Sequence, residues 1–97
     1  MRVFTYKRLR EFWERHPDAR QPLLAWHKEA EDADWDTPAA VKTRYPNASV
    51  IGSNRVVFNI KGNDYRLVVG INYPYRAVYI RFLGTHAEYD RIDAEEV

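Results

Sequence analysis

The sequence of 97 residues contains no cysteine and only four glycines. Without cysteine the chain has no disulfide framework, no thiolate metal site and no cysteine nucleophile. The glycines are too dispersed to form the phosphate-binding loops of nucleoside triphosphatases and dinucleotide enzymes. The longest apolar run covers residues 67–71, far short of a membrane span, and no secretory signal follows Met1, so we expect a cytoplasmic protein without a membrane segment.

Sequence patterns typical of metal sites or of serine nucleophiles are also scarce. The three histidines are never four residues apart, so a zinc site would need ligands from distant segments. Asp32, Asp34 and Asp36 imitate the start of a calcium loop, but the glycine and the final glutamate of that loop are missing. Ser49 and Ser53 share one segment that contains no histidine. We therefore expect no metal, no cofactor and no serine triad.

Hydrophobic residues make up 45% of the chain, which is typical of a globular protein with one core, and we expect a single domain over 1–97. The formal net charge is only +1, but its distribution is uneven. Between residues 37 and 86, seven basic residues face the single acid Asp64, whereas residues 87–97 hold five acids against Arg91. The basic block attracts a polyanion, unless its side chains are scattered over a solvated surface.

Apolar residues recur at helical spacing in the first third of the chain. The spacing predicts a helix over 6–16 capped by Thr5, and a second helix capped by Asp18. Thr37 followed by proline predicts a short third helix that ends before residue 45. Three tryptophans are expected to pack the helices against the rest of the fold: Trp13, Trp26 and Trp35.

After residue 47 the apolar period changes from about four to two, which predicts three strands near 55–61, 64–72 and 78–83. Gly84 is expected to end the third strand, and residues 2–5 to form a short opening strand. Thr85 and Glu88 have the spacing of a capping box and predict a short C-terminal helix. The residues expected to face inward are Val56, Phe58, Ile60, Tyr65, Leu67, Val69, Ile71, Val78, Ile80 and Phe82.

Helices followed by an antiparallel meander predict an α+β domain with the helices on one face of the sheet. The opposite face, which we call the outer face, then collects most of the basic block. Its expected members are Arg55, Asn59, Lys61, Arg66, Asn72, Tyr79 and Arg81.

Such a face suits the cleavage of RNA without a metal, because the 2′-hydroxyl of RNA is itself the nucleophile. Arg66 and Arg81 on neighbouring strands are candidates to stabilise the negative charge that develops around phosphorus. A guanidinium stays charged and binds phosphate through two donors. His86 is the first candidate for the base or the acid, because histidine ordinarily titrates near neutral pH. Tyr89, one helical turn further, suits stacking on a base or relaying a proton.

Four further residues are expected to hold the substrate: Arg55, Asn59, Lys61 and Tyr79. Each candidate also has a purely structural interpretation. An arginine on an open sheet face is commonly just solvated, and Asn59 and Tyr79 fit a cross-strand pair. His86 fits a surface position at a helix start, and Tyr89 fits the core of the last helix.

The sequence motifs lie in two stretches. Residues 54–68 contain an Asn-x-Lys-Gly-Asn hairpin and a Tyr-Arg-Leu-Val strand, and residues 79–90 end in Thr-His-x-Glu-Tyr-Asp. Together they resemble the signatures of HigB-type toxins, within the RelE-like group of bacterial toxin–antitoxin proteins. The N-terminal half agrees in helix layout and length, so the resemblance spans nearly the whole chain.

The resemblance implies a RelE-like fold, with two N-terminal helices on a twisted antiparallel sheet of three to four strands and a short C-terminal helix. It also implies an mRNA endonuclease that works in the ribosomal A site. A HigA-type antitoxin with a helix-turn-helix fold silences such a toxin and alone connects it to operator DNA.

The resemblance also implies roles for single residues. Arg66 matches the strand arginine that stabilises phosphate in RelE-like toxins, and Lys61 falls near their basic hairpin residues. His86 and Tyr89 match the C-terminal position that supplies a polar or aromatic catalytic group. RelE itself has several lysines and arginines at its site. In this chain Asn59 and His86 occupy positions where the resemblance would place basic residues.

Two other functions fit the sequence. RelE-like relatives without nuclease residues inhibit DNA gyrase by binding, and a basic domain can bind RNA without cleaving it. The presence of Arg66, His86 and Tyr89 together favours the nuclease.

Overall fold

The computed structural model describes all 97 residues and contains one five-stranded sheet of order β1-β5-β4-β3-β2. The strands are β1 (Arg2–Phe4), β2 (Ser49–Ile51), β3 (Arg55–Ile60), β4 (Tyr65–Asn72) and β5 (Ala77–Thr85). The helices are α1 (Tyr6–Arg15), α2 (Arg20–Asp32), α3 (Pro38–Arg44) and α4 (His86–Tyr89), and a 3₁₀ turn (Pro17–Ala19) joins α1 to α2. None of these helices has the length and apolar composition that crossing a membrane requires.

The α+β class and the central meander of β3, β4 and β5 are confirmed, but a sheet of three to four antiparallel strands is wrong. β1 pairs with β5 in parallel, and β2 pairs with β3 at the other edge. The predicted opening strand is confirmed as β1, whereas β2 was not predicted because its three residues are too few for a detectable alternation. The third helix predicted from Thr37 and the following proline is confirmed as α3, so three helices precede the meander where the resemblance implied two.

Of the three caps predicted for α1, α2 and α3, one is confirmed and two are wrong. The hydroxyl of Thr37 accepts the Ala40 N–H at 3.2 Å and caps α3, as predicted. Thr5 has a left-handed φ of 67° and its side chain caps nothing. Asp18 lies inside the 3₁₀ turn, where its carboxylate faces side chains from the β3–β4 hairpin instead of helix N–H groups.

The main core lies between the helices and the inner face of the sheet and contains 18 buried residues. Phe58 at its centre is 1% exposed and contacts the rings of Trp26 and Trp35, with centroids 5.4 Å and 6.1 Å away. The tryptophans of α2 and the following loop therefore pack against the sheet, as expected. A second, smaller cluster lies on the outer face, where Ala94 covers Val57 and Val68.

A β-bulge changes the alternation in β5. Val69 pairs with Ile80 and Val68 with Phe82, so Arg81 is an extra residue without a partner on β4. One extra residue turns the remainder of a strand to the opposite face. Phe82 therefore packs in the outer cluster and Leu83 against the main core, which reverses the prediction for both.

Gly84 does not end the third strand, because β5 continues to Thr85. A Cβ atom at Gly84 would lie 2.6 Å from Cζ of Phe82, so the glycine makes room for the ring that the bulge has turned outward. The capping box beyond it is confirmed: the Thr85 hydroxyl accepts the Glu88 N–H, and the Glu88 carboxylate accepts the Thr85 N–H. Helix α4 is short, as predicted, and ends at Tyr89.

Candidate functional site

The register of the three central strands arranges the outer face in rows. Asn59 of β3 and Gly84 of β5 flank Arg66 of β4, and we call this the hairpin row because it lies beside the β3–β4 hairpin. Arg55 and Tyr79 flank Gly70 in the same way, and we call this the groove row. Arg66 and Gly70 are four residues apart on β4, which separates the rows by about 13 Å.

An apolar row lies between the two polar rows and consists of Val57, Val68 and Phe82. The chain after α4 folds back across it and packs Ala94 against Val57 and Val68. Ile92 and Val97 add to this cover, so the acidic C-terminal segment lies on the outer face. The outer face is therefore two polar areas separated by an apolar strip, whereas the sequence predicted one continuous surface.

The bulge decides the position of Arg81. The side chains of Arg55 and Arg81 both approach Gly70, so Arg81 belongs to the groove row. Nη1 of Arg8, on α1, donates to the carbonyl oxygens of Ile80 and Arg81 at 3.2 Å and 3.1 Å. Arg8 thus holds the bulge from the helix side of the sheet, and Arg81 lies far from the residues of the hairpin row with which the sequence grouped it.

Ion pairs divide the basic block into neutralised and free charges. Arg55, Arg66 and Arg81 have no Asp or Glu side chain within ion-pair distance, and all three lie on the outer face. Acids of the N-terminal segment neutralise three others: Arg44 with Glu29, Lys61 with Asp18 and Arg76 with Asp34. Lys42 of α3 also lacks a carboxylate partner and donates to the carbonyl oxygens of Pro46 and Ala48, so three of the four free charges of the block lie on the outer face.

Lys61 is part of a structural contact rather than a free cation. Its Nζ lies 2.7 Å from Asp18 and 3.4 Å from Asp64, and the Tyr65 hydroxyl donates to Asp18 at 2.5 Å. The hydrogen bonds from Lys61 and Tyr65 lower the pKa of Asp18. The same contacts raise the pKa of Lys61 and of Tyr65. Lys61 ties the β3–β4 hairpin to the turn between α1 and α2, which removes it from the group of free cations that the sequence suggested.

Arg66 is half-buried in the hairpin row and its guanidinium is held in one orientation. Its Nη1 donates to the carbonyl oxygens of Asn63 and Tyr65 at 3.0 Å and 3.3 Å. The other guanidinium nitrogens have no protein partner. Asn59 lies beside it, exposed, on the neighbouring strand. The Arg66 guanidinium therefore presents oriented N–H donors near α4, with Asn59 beside it.

His86 begins α4 at the same end of the outer face. Its N–H donates to the Asp64 carbonyl oxygen at 3.2 Å, which ties α4 to the hairpin that carries Arg66. Nδ1 of His86 lies 3.1 Å from Oδ2 of Asp90, and the two side chains are 53% and 60% exposed. A carboxylate on Nδ1 orients the ring and leaves Nε2 for solvent or a ligand.

The capping box fixes α4 in place. The Thr85 N–H and the Thr85 hydroxyl, both hydrogen-bonded within the box, lower the pKa of Glu88. The Tyr89 ring is half-buried beside Phe82, with centroids 6.5 Å apart. Arg66, His86 and Tyr89 therefore share the end of the outer face that includes α4, whereas Arg55, Tyr79 and Arg81 share the other end.

Two residues of this site were not singled out from the sequence. Asp90 follows His86 by four residues, a spacing that predicts contact on one helix face, so the signal was present. Arg8 gave no such signal, because its carbonyl partners lie 72 and 73 residues further along the chain.

Comparison with known proteins agrees with the sequence motifs. Residues 19–92 match the HigB toxin family, described as the RelE-like toxic component of a toxin–antitoxin system. An mRNA interferase HigB of Escherichia coli O6:H1 is 22% identical over 94 residues, which cover 95% of this chain and 91% of the relative. The mRNA interferase toxin HigB of Escherichia coli K12 is 28% identical over 92 residues, 93% of this chain and 88% of the relative. The mRNA interferase HigB of Shigella flexneri has the same identity and coverage. With three quarters of its length matched to the family, this chain belongs to the HigB toxins, the RelE-like toxic components of toxin–antitoxin systems.

Proposed function

We propose that this chain is a cytoplasmic mRNA interferase that acts as a single domain. It cleaves mRNA in the ribosomal A site, and a HigA-type helix-turn-helix antitoxin neutralises it and connects it to operator DNA. The observation that carries the proposal is the hairpin row, where Arg66 has no carboxylate partner and lies on the strand beside α4 with His86. The similarity to relatives named mRNA interferase supports the same activity.

The reaction is an attack of the RNA 2′-oxygen on the adjacent phosphorus. The bond from phosphorus to the 5′-oxygen breaks, and a 2′,3′-cyclic phosphate and a 5′-hydroxyl are formed. Arg66 stabilises the negative charge that develops on the non-bridging oxygens, and Asn59 orients the ribose. His86 and Tyr89 move the two protons, one from the 2′-hydroxyl and one to the 5′-oxygen. Asp90 keeps the His86 ring oriented, with Nε2 toward the substrate.

This mechanism assigns no catalytic part to Arg81, which lies in the groove row about 13 Å from Arg66 along the sheet. It also explains a requirement for the ribosome. The hairpin row offers few acid–base groups, and a ribosome that holds the mRNA in an in-line geometry would supply the positioning that these residues lack.

The decisive experiment is a reconstituted translation reaction in which the ends of the mRNA are mapped after the toxin is added. We expect cuts at A-site codons with a 2′,3′-cyclic phosphate, and none on the same mRNA without ribosomes. Arg66→Ala should lower the cleavage rate about 10²- to 10³-fold, the effect of removing one donor that stabilises a transition-state charge. Arg10→Ala, an exposed arginine of α1 without a side-chain contact, is the matched control and should cleave normally.

Three results would contradict the proposal in different ways. Cleavage of free mRNA would show that the ribosome is not required, but the nuclease activity would stand. Intact mRNA during growth arrest, with loss of DNA supercoiling activity of gyrase, would favour the non-catalytic inhibitor. Binding to RNA that weakens with salt but leaves the RNA whole would favour a binding module.

A further inference from the structure

The groove row borders a depression of about 420 Å³ that no part of the proposed reaction uses. Arg55, Tyr79 and Arg81 line it, and Gly70 is at its floor. A Cβ atom at Gly70 would lie 2.9 Å from Nη1 of Arg55 and 3.5 Å from Nε of Arg81. The missing side chain therefore allows both guanidinium groups to lie close to the sheet.

Two cations, Arg55 and Arg81, meet in this groove. Neither has an Asp or Glu side chain within ion-pair distance, and Nε of Arg55 is buried without any hydrogen bond. Burial and the charge of Arg81 lower the pKa of Arg55, which is the expected consequence of two like charges held together. The main-chain oxygen of Val97, the last residue of the sequence, accepts one bond from Arg55 Nη2 at 2.7 Å, and the Ser53 carbonyl oxygen accepts one from Nη1. The Arg81 guanidinium donates to no protein acceptor, so the groove keeps one fully free guanidinium beside the buried Nε of Arg55, and both can bind an anion.

The aromatic ring at the groove has one covered face. Tyr79 stacks on Phe4 of β1, with centroids 4.9 Å apart and planes 10° apart, and its residue is still 41% exposed. Because Phe4 covers one face of the ring, the remaining exposure includes the face and edge that line the groove. A flat exposed ring beside two arginines is the combination that binds single-stranded nucleic acid by stacking and charge.

We propose that the groove row is a second RNA subsite, in which Arg55 and Arg81 bind one phosphate of the strand and Tyr79 stacks an adjoining base. The subsite rests on the proposed function, since the strand it holds is the one cleaved at the hairpin row. It lies about 13 Å from Arg66, too far for both to contact the same phosphate. Its part is to hold and align the strand, and the chemistry stays with Arg66, His86 and Tyr89.

The test measures binding and cleavage separately. Binding is measured by fluorescence anisotropy with a short single-stranded RNA in which every 2′-hydroxyl is methylated, so that it cannot be cleaved. We expect Arg81→Gln to weaken binding roughly tenfold and to lower the slope of log affinity against log salt by about 0.7, the value for one phosphate on a single strand. Tyr79→Ala should weaken binding by about 5- to 150-fold, the range for one stacked base, and Tyr79→Phe should keep it.

Gly70→Ala is the sharpest variant because it keeps every charge. Its methyl group would occupy the space of the Arg55 guanidinium and should weaken RNA binding, while alanine at a strand position keeps the fold. Arg91→Gln, an exposed arginine outside the groove, is the matched control and should bind as the wild type does. Thermal melting of each variant checks that the fold is intact.

The cleavage reaction distinguishes this subsite from the proposed function. In the ribosome reaction, groove variants should raise KM and leave kcat within about twofold, whereas Arg66→Ala lowers kcat. Groove variants that bind the methylated RNA as tightly as the wild type would overturn the subsite, even if the protein cleaves mRNA. Absence of any binding to that RNA would overturn it too.

Discussion

Replacing Arg8 by methionine tests whether α1 holds the β5 bulge. Methionine keeps most of the aliphatic stem and removes the guanidinium, which donates to the Ile80 and Arg81 carbonyl oxygens at 3.2 Å and 3.1 Å. A hydrogen bond to a charged group contributes about 1.5–3 kcal/mol when it is protected from water. Arg8 is exposed, so water replaces part of each bond, and we expect a total loss of about 1–2 kcal/mol of unfolding free energy.

The loss is measurable by urea unfolding and by thermal melting. For a domain of this size, 1 kcal/mol corresponds to roughly 4–8 °C, so the melting temperature should fall by roughly 5–15 °C. Amide hydrogen exchange in a peptide that covers residues 78–85 should increase more than elsewhere in the sheet, because the bulge would open locally. Arg10→Met, on the same helix and without a side-chain contact, is the matched control and should change stability by less than about 0.5 kcal/mol.

A result in which Arg8→Met and Arg10→Met have equal stability and equal exchange would refute the reasoning. The bulge would then be determined by the strands alone, through the packing of Phe82 and Leu83 on opposite faces.

Two further predictions concern the core and the acid stability of the fold. Phe58→Ala should lower the unfolding free energy by about 3–5 kcal/mol, because the ring is 1% exposed and the aromatic rings around it would lose their contacts. Urea unfolding checks this, and a loss no larger than that of Val50→Ala, an exposed residue, would contradict it. The pKa of Asp18 is lower in the folded protein than in the unfolded chain, so its ionised form stabilises the fold above about pH 4 and this contribution is lost as the pH falls through the folded value. Asp18→Asn should therefore have a flatter stability profile than the wild type in urea titrations between about pH 2 and pH 6, and parallel profiles would show that the Lys61 and Tyr65 contacts do not operate in solution.

Local patterns predicted much of the fold. The alternation in β3 and β4 identified their inward-facing residues, and all four from Tyr65 to Ile71 are buried. Thr37 before a proline and Thr85 before Glu88 identified two helix starts, because each cap needs only residues within one turn. These predictions hold because the physical signal and the structure it specifies are close together in the chain.

Predictions failed where a distant partner decides the outcome. Aspartate is a residue type that commonly caps helices, but Lys61 and Tyr65 donate hydrogen bonds to the Asp18 carboxylate from the β3–β4 hairpin and keep it away from the helix N–H groups. Phe82 has the right spacing for the core, but the bulge before it turns the strand over. Edge strand β2 is too short to show a period and exists because the longer β3 pairs with it, so it was missed, whereas the opening strand β1 was predicted.

The sequence by itself determined the helices, the central strands, the excess of positive charge between residues 37 and 86 and the motifs of the toxin family, since all of these are carried by residue types and short spacings. Only the tertiary structure decided which of those charges are free. Folding brings acids of the N-terminal segment onto Arg44, Lys61 and Arg76, and leaves Arg55, Arg66 and Arg81 without an Asp or Glu partner. It also separates Arg66 from the other two by an apolar strip under the C-terminal segment. Charge pairing and strand register depend on contacts between residues far apart in the chain, and for that reason the two polar areas of the outer face became visible only in the folded protein.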